Sequence, residues 1–314
     1  MVPARVKLSA LGDIPQLQAL LMSWRRKVDI RPVLVAVFDQ GLICCWEHAN
    51  EWVQRGGAWP AGSCQQGVPL QRQAMADLLA DLLLDCDVVG AQIVLCLPLA
   101  AARWCVLEGM PPDQIRIFTD PRPLLSDSSW SEGLQDCYLS LDPCGECVVT
   151  TSVPRTLLQG WVEVVELADL PLRRVDWCLT AAHRALLHLT EDWSGNLAWF
   201  ILDGTDGRLV LIRDGVADLD FALSLTTPPA AMTSIRERVN AWRNRISSSV
   251  PLGWWLSVSA EEQPDWLALV DSDSGEVLLD QTLIWCPRDW EGEKNQVALS
   301  PLQHLALTAL QQEL

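Results

Sequence analysis

Leu197-Ala-Trp-Phe-Ile-Leu-Asp203-Gly-Thr-Asp206-Gly-Arg-Leu-Val-Leu-Ile-Arg213-Asp-Gly215 reads as two apolar strands joined by a turn that opens on Asp203. The same pattern stands earlier, at Val33-Leu-Val-Ala-Val-Phe-Asp39-Gln-Gly41-Leu-Ile-Cys-Cys-Trp46. In each copy a run of β-branched, aromatic and aliphatic residues stops at Asp, and Gly follows within two positions, as a hairpin turn requires. One such pair is an ordinary hairpin. Two copies, with their turns 164 residues apart and each opening one half of the chain, argue for two lobes with a cleft between them.

The length of 314 residues suits that reading, because it is about twice a typical domain and lets each lobe bury a core. Hydrophobic residues make up 49% and charged residues 20%, an ordinary folded composition without a disordered tail. The net charge of −17 repels nucleic-acid backbones and anionic lipid at long range. The densest basic run, Arg25-Arg-Lys27, is too short to reverse that. Expected partners are therefore proteins, with basic residues on the side they present. The N-terminal Met-Val-Pro-Ala-Arg-Val-Lys lacks the apolar region of a signal peptide, and no window offers a membrane span. The eleven cysteines are then expected as reduced thiols in a cytoplasmic protein. Sixteen tryptophans stand against one tyrosine and four phenylalanines. Nothing in the sequence requires that choice; filling core and surface positions is the plainer reading, a Trp-rich docking surface the other.

Three- and four-residue spacing of apolar positions predicts helices over 11–28 and 70–86, with a buried strand at Gln92–Leu97 ended by Pro98. Arg55-Gly-Gly-Ala-Trp-Pro-Ala-Gly62 reads as a loop. From residue 99 the pattern changes. A short strand (102–107), a Pro-rich connection, a hairpin pairing 137–141 with 147–153, a helix (154–167) and a strand (172–177) predict a small α/β subdomain inserted in the first lobe. The expected division is 1–98 with 178–196 for the first lobe, 99–177 for the insertion and 197–314 for the second lobe. After the helix 178–189 and the second hairpin come a helix (233–246), a strand (253–258), a short helix (261–271), a strand around 283–286 and a helix at 301–314.

That order of elements resembles the type IV pilus assembly protein PilM family, actin-like relatives of the division protein FtsA and the secretion protein GspL. Three stretches carry the likeness. The first is Trp59-Pro-Ala-Gly, then Gly67, the helix from Leu70 and the strand ending at Pro98. The second, and the specific one, is Cys147-Val-Val-Thr-Thr-Ser-Val-Pro, the helix through Leu167, Ala168-Asp-Leu170, Val175-Asp-Trp and Thr180-Ala-Ala-His-Arg-Ala185. The third is Leu197 to Gly215. The resemblance implies a two-lobed α/β actin-like ATPase fold with an inserted subdomain, ATP with magnesium in the cleft, and a PilN-like membrane protein whose N-terminal tail enters a groove between the insertion and the first lobe. It also implies other pilus assembly proteins as partners and a place at the inner face of the cytoplasmic membrane, and leaves self-association open.

The residues themselves depart from an intact nucleotide site. Asp39, Gln40 and Gly41 occupy the first phosphate loop and are followed by Leu-Ile-Cys-Cys, with no hydroxyl for a phosphate or a magnesium shell. Asp203, Gly204 and Thr205 occupy the second, where Asp206 adds charge beside an anionic ligand. Val258-Ser-Ala-Glu-Glu262 stands where the family has the glycines of its adenine loop. Asp39 and Asp203 are read first as turn caps bonding backbone N–H groups and second as magnesium ligands. Cys144-Gly-Glu-Cys147 has metal or redox spacing but falls in a hairpin turn with no second ligand pair. His183 and His188 diverge on a helix. No catalytic residue, no metal ligand and no firm cofactor is assigned. The function expected is a PilM-like scaffold, not an enzyme; the alternatives are a phosphotransferase of the same fold and a GspL-like secretion domain.

Overall fold

Val33 to Val37 and Asn196 to Leu202 are buried along their whole lengths. A strand buried on both faces reads as an unbroken apolar run and needs a covering layer on each side. The computed structural model describes residues 31–88, 90–107, 133–144, 147–203, 206–223, 228–246, 250–259, 263–267, 276–279, 288–289 and 299–314. In chain order, β1 (Arg31–Val37), β2 (Gly41–His48) and β3 (Glu51–Ala58) form an antiparallel meander. A short hairpin, β4 (Cys64–Gln65) and β5 (Val68–Pro69), leads into α1 (Arg72–Asp85), and β6 (Ala91–Leu97) returns parallel to β1. Next, β7 (Arg103–Leu107), β8 (Cys137–Cys144) and β9 (Cys147–Pro154) make a separate antiparallel sheet in the order β7-β9-β8, followed by α2 (Arg155–Leu167). Strand β10 (Leu172–Trp177) pairs parallel with β6 and runs into α3 (Cys178–Leu189).

The second half repeats the plan. Strands β11 (Asn196–Asp203), β12 (Asp206–Arg213) and β13 (Val216–Leu223) form the meander, then come α4 (Pro228–Ile246), β14 (Leu252–Ser257), α5 (Gln263–Trp266) and β15 (Glu276–Leu278). A two-residue strand, β16 (Arg288–Asp289), and α6 (Pro301–Gln312) complete the described elements. The two large sheets are ordered β10-β6-β1-β2-β3-β16 and β13-β12-β11-β14-β15. In both, the meander's first strand sits between its second strand and the fourth, so the duplication seen in two hairpins extends to whole sheets.

Alternation along β11 shows how the layers stack. Leu197, Trp199 and Ile201 point into the large core that also holds Val33 to Val37, Leu179, Ala182 and Leu305 to Leu310. Ala198, Phe200 and Leu202 point the other way, against Ile235, Val239 and Trp242 of α4. Helix α6 packs along α3 and touches both β1 and β11, so this helix pair forms the layer between the two sheets.

Four sequence expectations change. Arg55 to Ala58 is the end of β3, not a loop: Arg55 pairs with Cys44, and Gly57 with Leu42. Its glycines answer close packing. A Cβ on Gly57 would lie 3.1 Å from Leu82 Cδ1, and one on Gly41 would lie 2.3 Å from the Gly57 carbonyl oxygen. Strand β13 was not expected at all, although Ala217, Leu219 and Phe221 alternate with Asp218 and Asp220. Strand β10 hydrogen-bonds into the first large sheet rather than the three-stranded one, and α6 packs on α3 instead of staying with the second half. Helix 11–28, with its basic run, and the strand at 283–286 lie outside the described residues.

Tryptophan also gains a structural role. Indole N–H groups donate to backbone carbonyls from Trp59, Trp161 and Trp177, to Ser257 from Trp199, and to buried carboxylates from Trp242 and Trp254. Each fills core volume and gives its indole N–H a partner inside the fold. Among the described residues, no helix is long and apolar enough to cross a membrane. Cys44, Cys45, Cys96 and Cys178 are buried free thiols whose pKa values burial pushes far up. Thiolate is the reactive form, so these four should resist iodoacetamide in the native protein and react only in denaturant. Half-buried Cys105 should react sooner. Rapid native-state labelling of Cys44 by mass spectrometry would contradict this packing.

Candidate functional site

The first expected phosphate loop is built into the protein as a closed cluster. Val37 pairs with Leu42, which leaves Phe38 to Gly41 as the turn, and the Phe38 N–H donates to the Gly41 carbonyl at 3.0 Å. The Asp39 side chain leaves its own hairpin and reaches the β4–β5 turn. There Gln66 N–H donates to Oδ2 at 2.8 Å and Gly67 N–H to Oδ1 at 2.7 Å. Gln66 and Gly67 both have positive φ, 49° and 75°, the geometry of a two-residue hairpin turn. The Cys64 thiol lies 3.6 Å from Oδ1, and burial together with the Asp39 charge pushes its pKa to about 12.

Two tryptophans close the cluster. Trp59 Nε1 donates to the Phe38 carbonyl and Trp161 Nε1 to the Gly67 carbonyl, each at 2.8 Å, with ring centroids 6.1 Å apart. Asp39 therefore caps a turn, the first of its two sequence readings, but a turn some 27 residues away. Each carboxylate oxygen already accepts a backbone hydrogen bond. Gln40 is exposed and Gly41 is buried under Gly57.

Asp203, last residue of β11, pairs with Asp206 across a two-residue turn whose Gly204 and Thr205 lie outside the described residues. It sits near the start of α3, where burial, Cys96 and then Asp203 push up the Cys178 thiol. The adenine-loop segment is described only through Ser259. Cys144 and Cys147 pair across the β8–β9 turn, as the sequence suggested; Gly145 and Glu146 lie outside the described residues. Among the described residues, no three His, Cys, Asp or Glu side chains converge as a metal site needs.

Sequence reasoning missed a second cluster, between β7 and the β12–β13 edge. A cavity of about 430 Å³ is lined there by Leu99, Ala102, Trp104, Arg208, Asp220 and Leu223, among others. Arg208 Nε lies 3.4 Å from Asp220 Oδ1, and its guanidinium carbon is 5.6 Å from the Trp177 ring centre. Trp104 stands edge-on to Trp177 and to His183. The signal was the alternation of Asp218 and Asp220 in β13, visible only once that segment is read as a strand.

His183 has its pKa lowered to about 4, first by burial and then by Arg184. The unfolded chain takes up that proton near the ordinary value of 6.5, the folded chain only near 4. Its contribution is thus fully present above pH 6.5 and declines as pH falls toward 4, on the order of 1 kcal/mol per pH unit. Urea unfolding at pH 7, 6 and 5 should show this slope, and His183→Gln should flatten it.

A third feature involves β8 and α2. A cavity of about 430 Å³ on the inserted segment is lined by Tyr138, Leu158, Gln159, Val162, Glu163 and Glu166. Arg72 of α1 pairs with Glu163 of α2, joining the two helices at its rim.

The sequence matches no protein-family model and no curated protein. Solved structures do match. One described as a PilM-PilN type IV pilus biogenesis complex has a TM-score of 0.60 at 15% identity, over 89% of this chain and 98% of that one. A Bacteroides thetaiotaomicron protein of unknown function with an actin-like ATPase fold gives 0.50 at 7% identity, over 81% and 91%. The cytoplasmic domain of EpsL, an inner-membrane component of the Vibrio cholerae type II secretion system, gives 0.49 at 14% identity, over 90% and 95%. Duplicated sheets of one strand order, a helix pair between them and the first two of these likenesses agree: this chain has the actin-like ATPase fold.

Proposed function

We propose that this protein is a PilM-like scaffold of a type IV pilus inner-membrane assembly complex, and that it binds the cytoplasmic N-terminal tail of a PilN-like membrane protein. It works by binding rather than catalysis, at the inner face of the cytoplasmic membrane, where the partner's anchor holds it. The observation that carries the reading is the cavity lined by Tyr138 of β8 and one face of α2. Leu158 and Val162 give it an apolar floor, and Glu163 and Glu166 give it an acidic rim. A short tail with apolar anchors and basic residues fits that chemistry, and the net charge of −17 would speed its approach. The likeness to a PilM-PilN complex across nearly the whole chain supports the same reading.

The state of Asp39 supports a reduced nucleotide site, since both of its oxygens are engaged by Gln66 and Gly67. Mg-ATP titrated against tryptophan fluorescence should show no saturation in the low micromolar range. Tight saturation there would favour the phosphotransferase reading instead. The direct test is a synthetic peptide of the cytoplasmic N-terminal tail of a PilN-like protein from the same organism. Glu163→Gln with Glu166→Gln should slow its association and weaken its dependence on salt. An unchanged association rate, or no binding of any such tail to the native protein, would overturn the scaffold reading.

A further inference from the structure

Helix α2 carries its charges against its own dipole. A helix favours acids in its first turn and bases in its last, because its N-terminal end is partly positive and its C-terminal end partly negative. Here Arg155 opens the helix, no side chain caps that end, and the last turn holds Glu166 and no base. Both placements work against the helix itself. Charges set against local preference mark places where something other than folding has chosen them.

The two charges stand at opposite ends of one cavity. Arg155, Gln159, Val162 and Glu166 follow one another at three- or four-residue spacing and so share a face of α2, and the last three line the cavity with Tyr138 and Leu158. The Arg155 guanidinium lies 5.1 Å from the centre of the Tyr138 ring, which puts a cation at one end. At the other end, Arg72 of α1 pairs with Glu163, whereas no basic side chain among the described residues pairs with Glu166. Half-buried Leu158 and Val162 lie between. From residue 155 to residue 166 the helix rises about 16 Å, the reach of about five residues of extended chain. A segment carrying only bases would set a like charge on Arg155. One carrying only acids would do the same at Glu166.

We infer that this site selects a segment of opposed charges, with an acidic residue against Arg155, a basic residue against Glu166, and an apolar residue between them on Leu158 and Val162. The inference rests on the reading of this cavity as a peptide site, and it narrows the partner from a basic tail to one that also carries an acid about five residues from its base.

The test is selection of a random heptapeptide phage library on the intact protein, on Arg155→Glu and on Glu166→Lys, keeping the peptides whose binding Val162→Arg abolishes. The native protein should enrich peptides with one acid and one base around an apolar centre. The acid is diagnostic, because a net charge of −17 disfavours acids elsewhere on the surface. Arg155→Glu should enrich peptides with bases at both ends, and Glu166→Lys peptides with acids at both ends. Should Arg155→Glu disturb Tyr138, Arg155→Gln removes the charge alone and should erase the preference for an acid. Glu166→Lys should also raise the urea midpoint, since lysine suits the last turn of a helix. A lower midpoint would show that Glu166 serves the fold, and would overturn the inference. So would Val162-dependent peptides with the same charges from all three proteins, an outcome that leaves the peptide site itself standing. Failure to enrich any Val162-dependent peptide removes the site, and the inference with it.

Discussion

Trp161→Ala should cost about 3–5 kcal/mol in urea unfolding, a large share of what holds a typical domain folded. Trp161 is 1% exposed on α2 and closes the cluster around Asp39. Its removal leaves a large void beside Trp59 and strips the Gly67 carbonyl of its donor. That carbonyl belongs to the residue whose N–H holds Asp39, so the damage passes to the first hairpin. Trp161→Phe separates the two parts. It keeps much of the buried ring area while losing the donor and part of the indole's volume, and should cost about 1–3 kcal/mol. Equal losses for the two variants would mean that the hydrogen bond, and not the filled volume, carries the cluster.

Ending the chain at residue 300 should leave it unable to fold. Leu302, Leu305, Ala306, Leu307 and Leu310 are buried, and they cover Leu179, Ala182 and Leu186 of α3. The helix begins with a capping box, Ser300 with Gln303, and its far end is tied by Glu313 to Arg174 and Arg184. Those ion pairs are partly exposed, so Glu313→Gln alone should cost no more than about 1 kcal/mol. Burial of the apolar face contributes far more than these charges. Expression of the shortened chain should give insoluble protein, whereas Glu313→Gln should stay soluble with a cooperative transition. A soluble, cooperatively unfolding chain that ends at 300 would show that α6 is an accessory rather than a layer.

The fold was legible where hydrophobic period and turn chemistry coincide. Leu197 to Ile212 carried its own turn signal, and so did the α2 to α3 stretch. Strand β3 was hidden because its glycines serve close packing against β2 and α1, and glycine in isolation reads as loop. Strand β13 was hidden by Asp218 and Asp220, whose partners Arg213, Arg245 and Arg208 lie elsewhere in the sequence. The turn at Asp39 stood out in the sequence, but its closure did not. Nothing in the sequence flanking Asp39 shows that Gln66, Gly67 and Trp161 complete it. The Arg208–Asp220 cavity was illegible for the same reason, since it exists only where two sheets meet.

The helix pair between the sheets also sets an order of events during synthesis. Domains generally fold as units while the chain emerges, N-terminal parts first. Here β1, β2, β6 and β10 leave the ribosome long before Leu302 to Leu310, which cover them together with α3. Through the translation of more than a hundred further residues, the first half waits with one face of α3 uncovered. That nascent surface is apolar and broad, the kind that holding chaperones bind. Completion of the first half is thus a late step, coupled to the arrival of the second.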